Sequence, residues 1–288
     1  LLVLAVLAWL MPALGAAERG LVAEVTAAVG LTEAEPGLLT VSFLDVGQGD
    51  AIVIETPDGV QMLIDGGPDA GVLRGLGETL SFFDRTIDVV VATHPDLDHV
   101  GGLPDVLARY AVDTVLMTSN EGETEASALF REAVAEEGAE VVFATAGQTI
   151  ALGASTTFTI LSPAGDPALW ESNNSSIVGR LRYGEIEFLF TGDAGRGIEN
   201  YLVSEHGTAL ASEVLKLGHH GSDTSSSEPF LGAVQPRIAI VSAEAGNSYG
   251  HPDPDVVART EAVGATVLNT AERGTITLRS DGAAVWVE

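Results

Sequence analysis

Three times along this chain an apolar run stops at side chains able to hold a metal, each time in a turn marked by glycine or proline. Val89–Ala92 runs into Thr93-His94-Pro95-Asp96-Leu97-Asp98-His99-Val100-Gly101-Gly102. Phe188-Leu189-Phe190 runs into Thr191-Gly192-Asp193, and Val214–Leu217 into Gly218-His219-His220-Gly221-Ser222. Strand ends and the loops they hold are where α/β proteins place their chemistry. The first segment packs four metal-competent side chains into six residues. Carboxylates and imidazoles so crowded cannot all be buried without a cation, because unpaired interior charge is very costly. A solvated acidic turn would explain that segment alone, but not the threefold recurrence.

The chain contains no cysteine, so any metal must be held by histidine and carboxylate. Its 13 Lys+Arg stand against 41 Asp+Glu, a formal net charge of −28, and Lys216 is the sole lysine. Such a surface repels polyanions, which argues against nucleic-acid binding through a basic patch. A salt-rich habitat and an acidic, arginine-using genome explain this balance equally well. Residues 1–17 carry no charge and read as the tail of a membrane segment on a truncated chain; a signal peptide ending in Gly15-Ala16-Ala17 is the other reading. Residues 18–37 read as a linker, and 38–288 as one domain.

Within that domain, glycine turns separate short apolar runs. Leu39–Leu44, Ala51–Glu55 and Gln61–Ile64 read as strands, with Pro57-Asp58-Gly59 as a hairpin turn. Strand Ile87–Ala92, helix Val100–Tyr110, strand Thr114–Met117, helix Glu123–Glu137 and strand Val141–Ala144 follow. A second round has strands Thr156–Leu161, Ser176–Tyr183 and Ile186–Thr191, helix Gly195–His206, strands Glu213–Leu217 and Ile238–Val241, and helix Asp255–Val263. Thr275–Leu278 and Ala284–Val287 close it as a hairpin. Two such rounds predict two packed sheets with helices outside.

From about Leu38 onward the chain resembles the metallo-β-lactamase superfamily, and within it the hydrolase domain of ComEC-type DNA-uptake (competence) proteins. Phe43 to Asp50, Leu63-Ile64-Asp65-Gly66-Gly67 and Thr93 to Gly102 carry the resemblance. Asn173 to Ser176, Thr191-Gly192-Asp193, Leu217 to Ser222 and Asn247 to Pro252 continue it in order. The resemblance implies an αββα sandwich and two divalent metal ions, manganese or zinc. His94 and Asp96 would bind one ion, and Asp98 and His99 the other. Asp193 would bridge them, and His219, nearer its strand than His220, would complete the second site. Asp98 and Asp193 are the implied proton acceptors. His220, His251 and Lys216 would balance charge or contact substrate, Asn174 and Ser222 would bind it, and Asp50 and Asp65 would support the loops. Asp96 stands where the commoner pattern has histidine, which hardens that site toward manganese.

The implied reaction is phosphodiester hydrolysis by hydroxide held between the two ions, acting on a DNA strand delivered by a membrane channel. The domain would then be membrane-linked and extracytoplasmic. A small-molecule phosphodiesterase of the phosphorylcholine-esterase kind is the alternative reading, and a non-catalytic metal-binding module a third. His206, at a helix end in His-Gly, reads as ordinary capping.

Overall fold

The computed structural model describes residues 37–81 and 83–288; the apolar segment 1–17 and nearly all of the 18–37 linker lie outside the described residues. Strands β1 (Leu39–Phe43), β2 (Ile52–Glu55) and β3 (Gln61–Ile64) form an antiparallel meander. Helix α1 (Val72–Thr79) then carries the chain to β4 (Thr86–Ala92), which pairs with β3 in parallel. Short helices α2 (Leu97–Val100) and α3 (Leu103–Leu107) precede β5 (Ala111–Met117), and α4 (Glu125–Glu137) precedes β6 (Glu140–Phe143).

The second sheet contains β7 (Thr149–Leu152), β8 (Thr156–Ser162), β9 (Val178–Tyr183), β10 (Ile186–Phe190), β11 (Val214–Lys216), β12 (Ile238–Val241) and β13 (Thr266–Asn269). Helices α5 (Arg196–His206), α6 (Glu228–Val234) and α7 (Pro254–Ala262) connect its parallel half, with α8 (Thr270–Arg273) after β13. Strands β14 (Ile276–Ser280) and β15 (Val285–Val287) return to the free edge of β1.

Side-chain alternation explains the layering. Val41, Phe43, Ile54, Ile64 and Val91 face Phe158, Ile160, Phe188 and Phe190 between the sheets. Val90 and Ala92, the other face of β4, pack beneath the first sheet's helices with Val100, Leu103 and Phe130. Leu189, Leu215 and Val241 do the same beneath the second sheet's helices with Leu202, Phe230 and Val256. Strands buried on both faces read as continuous apolar runs, which is why β4 and β10 stand out in the sequence. The result is the expected αββα sandwich. Among the described residues no helix is long and apolar enough to cross a membrane.

One expected element divides. In place of one helix over Val100–Tyr110 there are two short ones, Leu97–Val100 and Leu103–Leu107, joined at Gly101-Gly102, and position 102 must be glycine because the Gly66 carbonyl oxygen lies only 2.2 Å from where its Cβ would sit. The Gly66 amide donates to the His99 carbonyl at 2.7 Å and the Gly102 amide to the Gly67 carbonyl at 3.0 Å, which clamps this loop onto the Asp65-Gly66-Gly67 turn.

The half-buried Glu55 on β2 has its pKa pushed up to about 7, first by burial and then by the neighbouring Asp84 carboxylate, with Arg279 opposing. Between its ordinary 4.5 and that value the folded chain holds a proton that the unfolded chain has released. The associated stability is therefore complete below 4.5 and lost as pH rises through about 7. Glu55→Gln should raise the melting temperature at pH 8 and have little effect near pH 4.5. Equal shifts at both pH values would refute this.

Candidate metal centre

The functional side chains cluster where strands of both sheets end. Asp65 follows β3 and is fully buried, with its backbone in the left-handed region at φ 59°. Its carboxylate accepts from the Thr93 amide at 2.8 Å and the Thr93 hydroxyl at 2.7 Å. It also meets His99 Nδ1 at 2.8 Å. One carboxylate thus fixes the start of the loop after β4 and turns the other nitrogen of His99 inward, the usual work of a carboxylate behind a metal-binding imidazole.

Asp193, after β10, is the hub. Its Oδ1 lies 3.3 Å from His99 Nε2. Its Oδ2 lies 3.9 Å from His94 Nε2, 3.8 Å from His219 Nε2 and 3.5 Å from His220 Nε2. His94 Nε2 is 3.7 Å from Asp96 Oδ2, and His220 Nε2 is 3.1 Å from Asp98 Oδ2. Ser172 donates to Asp96 Oδ1 at 2.6 Å, leaving the other oxygen toward His94. Donor atoms of Asp50, His99, Asp193 and His220 all lie within 4.8 Å of one another, and all four residues are buried.

Burial opposes charge on each of these groups, and their neighbours decide the outcome. His99 is nonetheless held well above the ordinary imidazole value by Asp193 and Asp65. His220 is raised to about 9 by Asp193, Asp50 and Asp98. His94 is lowered to about 4, by burial first and the neighbouring His99 second. Asp193 stays well below the usual carboxylate range because His220, His99 and His94 surround it. The protein's own hydrogen bonds do not complete this cluster: His94 Nε2, His99 Nε2, Asp193 Oδ1 and Asp50 Oδ1 are buried with no hydrogen-bond partner. Four orphaned atoms at one place are costly unless something satisfies them. Imidazole nitrogens and carboxylate oxygens are the donor set a divalent cation of the zinc or manganese type accepts, so the residues fit such an ion.

Several expected roles are corrected. The inner place belongs to His220 rather than His219. His220 is 1% exposed, whereas the His219 side chain is 28% exposed. Both residues have left-handed backbones, φ 49° and 54°, so the turn doubles back and buries the second imidazole. The Ser242 carbonyl lies 2.9 Å from His220 Nδ1 and can only accept, so Nδ1 keeps a proton and Nε2 is the nitrogen turned to the cluster, where a cation would displace its proton. Lys216 cannot touch substrate: its side chain is fully buried, 2.8 Å from Asp50 Oδ2. Ser222 is buried and bonded to Thr224 within its own loop. Asn173, not Asn174, lines the cleft over the cluster, together with Gln48, Tyr249 and His251. His206 ends α5, as its sequence suggested.

Sequence reasoning missed Ser172, the Ser242 carbonyl and Asn173. Only Asn173 lay in a motif singled out beforehand, while a backbone carbonyl leaves no trace in a sequence. The glycines of Gly47-Gln48-Gly49-Asp50 acquire a reason. A Cβ on Gly49, at φ +133°, would sit 2.2 Å from the Asp98 carbonyl oxygen, and the Asp50 amide donates to that oxygen at 3.1 Å.

The family model described as the metallo-beta-lactamase superfamily matches residues 44–245. Among curated proteins the chain is 30% identical over 257 residues to ComE operon protein 3 of Bacillus subtilis, covering 83% of this chain and 33% of that protein. It is 33% identical over 237 residues to competence protein ComA of Neisseria gonorrhoeae, covering 82% and 31%. The chain thus spans about a third of the length of these relatives. Among solved structures, a metallo hydrolase from Ignicoccus hospitalis superposes with TM-score 0.56 at 16% identity, covering 83% of this chain and 98% of that one. Zinc-bound PqqB from Methylobacterium extorquens gives TM-score 0.53 at 15% identity, covering 80% and 87%. Likeness at that identity concerns the fold alone.

Proposed function

Because the chain belongs to the metallo-beta-lactamase superfamily, we propose that it is a metal-dependent phosphodiesterase that cuts a DNA strand during membrane-linked uptake, from an extracytoplasmic position. The observation that carries this reading is the convergence of imidazoles and carboxylates on Asp193, with four buried donor atoms left unpartnered. The similarity to competence proteins directs it toward DNA. His94, Asp96 and Asp193 would hold one divalent ion, and Asp98, His99, His220 and Asp193 the other. Two such ions polarise a phosphoryl oxygen and acidify the attacking water.

The protein's residues do the rest. Asp98 and Asp193 would accept the proton of the attacking water, and Asp98 is the one partly open to solvent, its side chain 33% exposed. His251 and His219, ring centroids 5.6 Å apart on the open side, would hydrogen-bond the departing oxygen. Asp65, Ser172 and the Ser242 carbonyl keep His99, Asp96 and His220 aimed.

Asp96 sets the expected metal preference. A carboxylate in place of imidazole favours oxygen-preferring ions, while the remaining histidines keep zinc acceptable. Metal-depleted protein given manganese should cleave single-stranded DNA at least as well as with zinc, and Asp96→His should shift preference toward zinc. Each ion returned at equal concentration, against single-stranded DNA, duplex DNA and bis-p-nitrophenyl phosphate, provides the test. Restoration by zinc alone in the unmodified protein would overturn the metal argument. Failure on every substrate would favour a binding module, and cleavage of the small ester alone a small-molecule enzyme.

A further inference from the structure

Two clefts meet at Asp96. One, of about 190 Å³, lies over the metal centre and has Tyr249 and His251 on its wall. The other, of about 500 Å³, runs from Asp96 past Ser172 to Trp170 and the loop carrying Glu121 and Glu123. None of the residues lining either cleft is lysine or arginine, whereas Asp96, Asp98, Glu121 and Glu123 are acidic. Neither cleft therefore offers a phosphate backbone a permanently cationic side chain.

What the clefts do offer is aromatic surface. Tyr249 is 71% exposed and stacks on His251 at 5.9 Å and 15°. Trp170 is 37% exposed at the far side of Asp96. Both rings stand on braced loops. Asn247 Oδ1 accepts from the Tyr249 amide at 3.1 Å and the His251 amide at 3.0 Å. Asn120 Nδ2 donates to the Trp170 carbonyl at 2.9 Å, and the Trp170 amide donates to the Pro167 carbonyl at 2.9 Å. Large rings held in place and left uncovered beside a reaction centre are ready to stack, because little ordering cost remains when a ligand arrives.

We propose that Tyr249 and Trp170 are nucleobase-stacking subsites for the nucleotides on either side of the phosphodiester at the metal centre. A single strand is thereby held by its bases rather than by its backbone. This inference rests on the phosphodiesterase reading. The acidic walls repel the backbone but accept hydrogen bonds from exocyclic amino groups of bases. A duplex keeps its bases stacked on each other and cannot use these surfaces. The mode also reconciles a net charge of −28 with a nucleic-acid substrate.

The test compares the metal-loaded chain with its Trp170→Ala, Tyr249→Ala, Trp170→Phe and Tyr249→Phe variants. The substrates are a short single-stranded oligonucleotide and the same strand with abasic residues flanking the cut. Each alanine variant should raise KM on the intact strand about 5- to 100-fold, the range that loss of one base–aromatic stack produces. The penalty should shrink severalfold on the abasic strand, and the phenylalanine variants should recover most of the loss. Salt dependence should be shallow, with a log–log slope no steeper than about −1, against about −0.7 for every phosphate paired with a protein cation. Equal penalties on both strands, no recovery with phenylalanine, or a steep salt slope would each overturn the stacking subsites while leaving the phosphodiesterase reading intact. Turnover of a phosphorylcholine ester that depends on Trp170 and exceeds strand cleavage would overturn them in favour of a cationic headgroup. No cleavage of any strand by the unmodified protein would overturn the phosphodiesterase reading and the subsites with it.

Discussion

On the proposed two-ion reading, Asp193→Asn should leave a folded protein with phosphodiester turnover reduced at least about 10³-fold with any ion, since a carboxylate bridging a metal pair would contribute several kcal/mol to the transition state. The substitution keeps the side chain's shape and its backbone contact, the Asp193 amide donating to Ser176 Oγ at 3.1 Å. The charge is removed, and one of the two oxygens becomes an amide NH2, either the one that faces His94, His219 and His220 or the one that faces His99. Asp96 reaches the His94 side at 3.7 Å and Asp98 the His220 side at 3.1 Å, whereas Asp193 contacts both. Metal content per chain should fall with activity when measured after dialysis against a weak chelator. Circular dichroism should remain that of the parent. A variant keeping both its ions and its turnover would show that Asp193 is not the bridge, and the two-ion centre would have to be redrawn.

The sequence exposed this centre well for a physical reason. A strand buried on both faces reads as an unbroken apolar run, and a metal ligand at its end interrupts that run at a turn. The three segments containing His94, Asp193 and His220 therefore announced themselves without any coordinates. Elements lacking that contrast were missed. Helix α1 carries Gly75 and Gly77, poor helix formers, yet Gly75 is there because Leu44 packs where its Cβ would be, at 2.8 Å. Edge strand β7 is mostly exposed, so Thr149 to Leu152 shows no core pattern. Strand β13 is short, with one fully buried residue among four.

Within the site, spacing identified the residues but not their directions. His219 and His220 are adjacent in sequence, and only the left-handed turn decides which is inside. Lys216 was expected to balance charge or contact substrate. Its place on a strand buried as Val214-Leu215-Lys216 pointed the other way.

That lysine should show the largest stability effect of any single substitution near the site. Lys216 Nζ lies 2.8 Å from Asp50 Oδ2 and donates to the Leu217 carbonyl at 3.0 Å, with both side chains out of solvent. Burial works against the Asp50 charge, yet Lys216 and then His220 hold that carboxyl below its ordinary range, so Asp50 faces the lysine as a carboxylate. Lys216→Met leaves a buried carboxylate without its main counter-ion, which typically costs about 3–5 kcal/mol. For a protein of this size that corresponds to a melting temperature lower by roughly 6–20 °C. Removing both charges, as Lys216→Met with Asp50→Asn, should recover most of the loss, because a buried pair seldom contributes much net stability over uncharged replacements. The double variant should still bind metal about 10- to 100-fold more weakly, the usual effect of losing a group that supports a ligand. Asp50 Oδ1 lies 3.4 Å from His220 Nδ1, so its charge, without a hydrogen bond of its own, favours the Nδ1 proton that the Ser242 carbonyl accepts. Thermal melts of the metal-depleted proteins read the first effect, and metal titration of the same samples reads the second. Recovery of both stability and affinity in the double variant would mean that the pair only fills the core, and that His220 is oriented without Asp50.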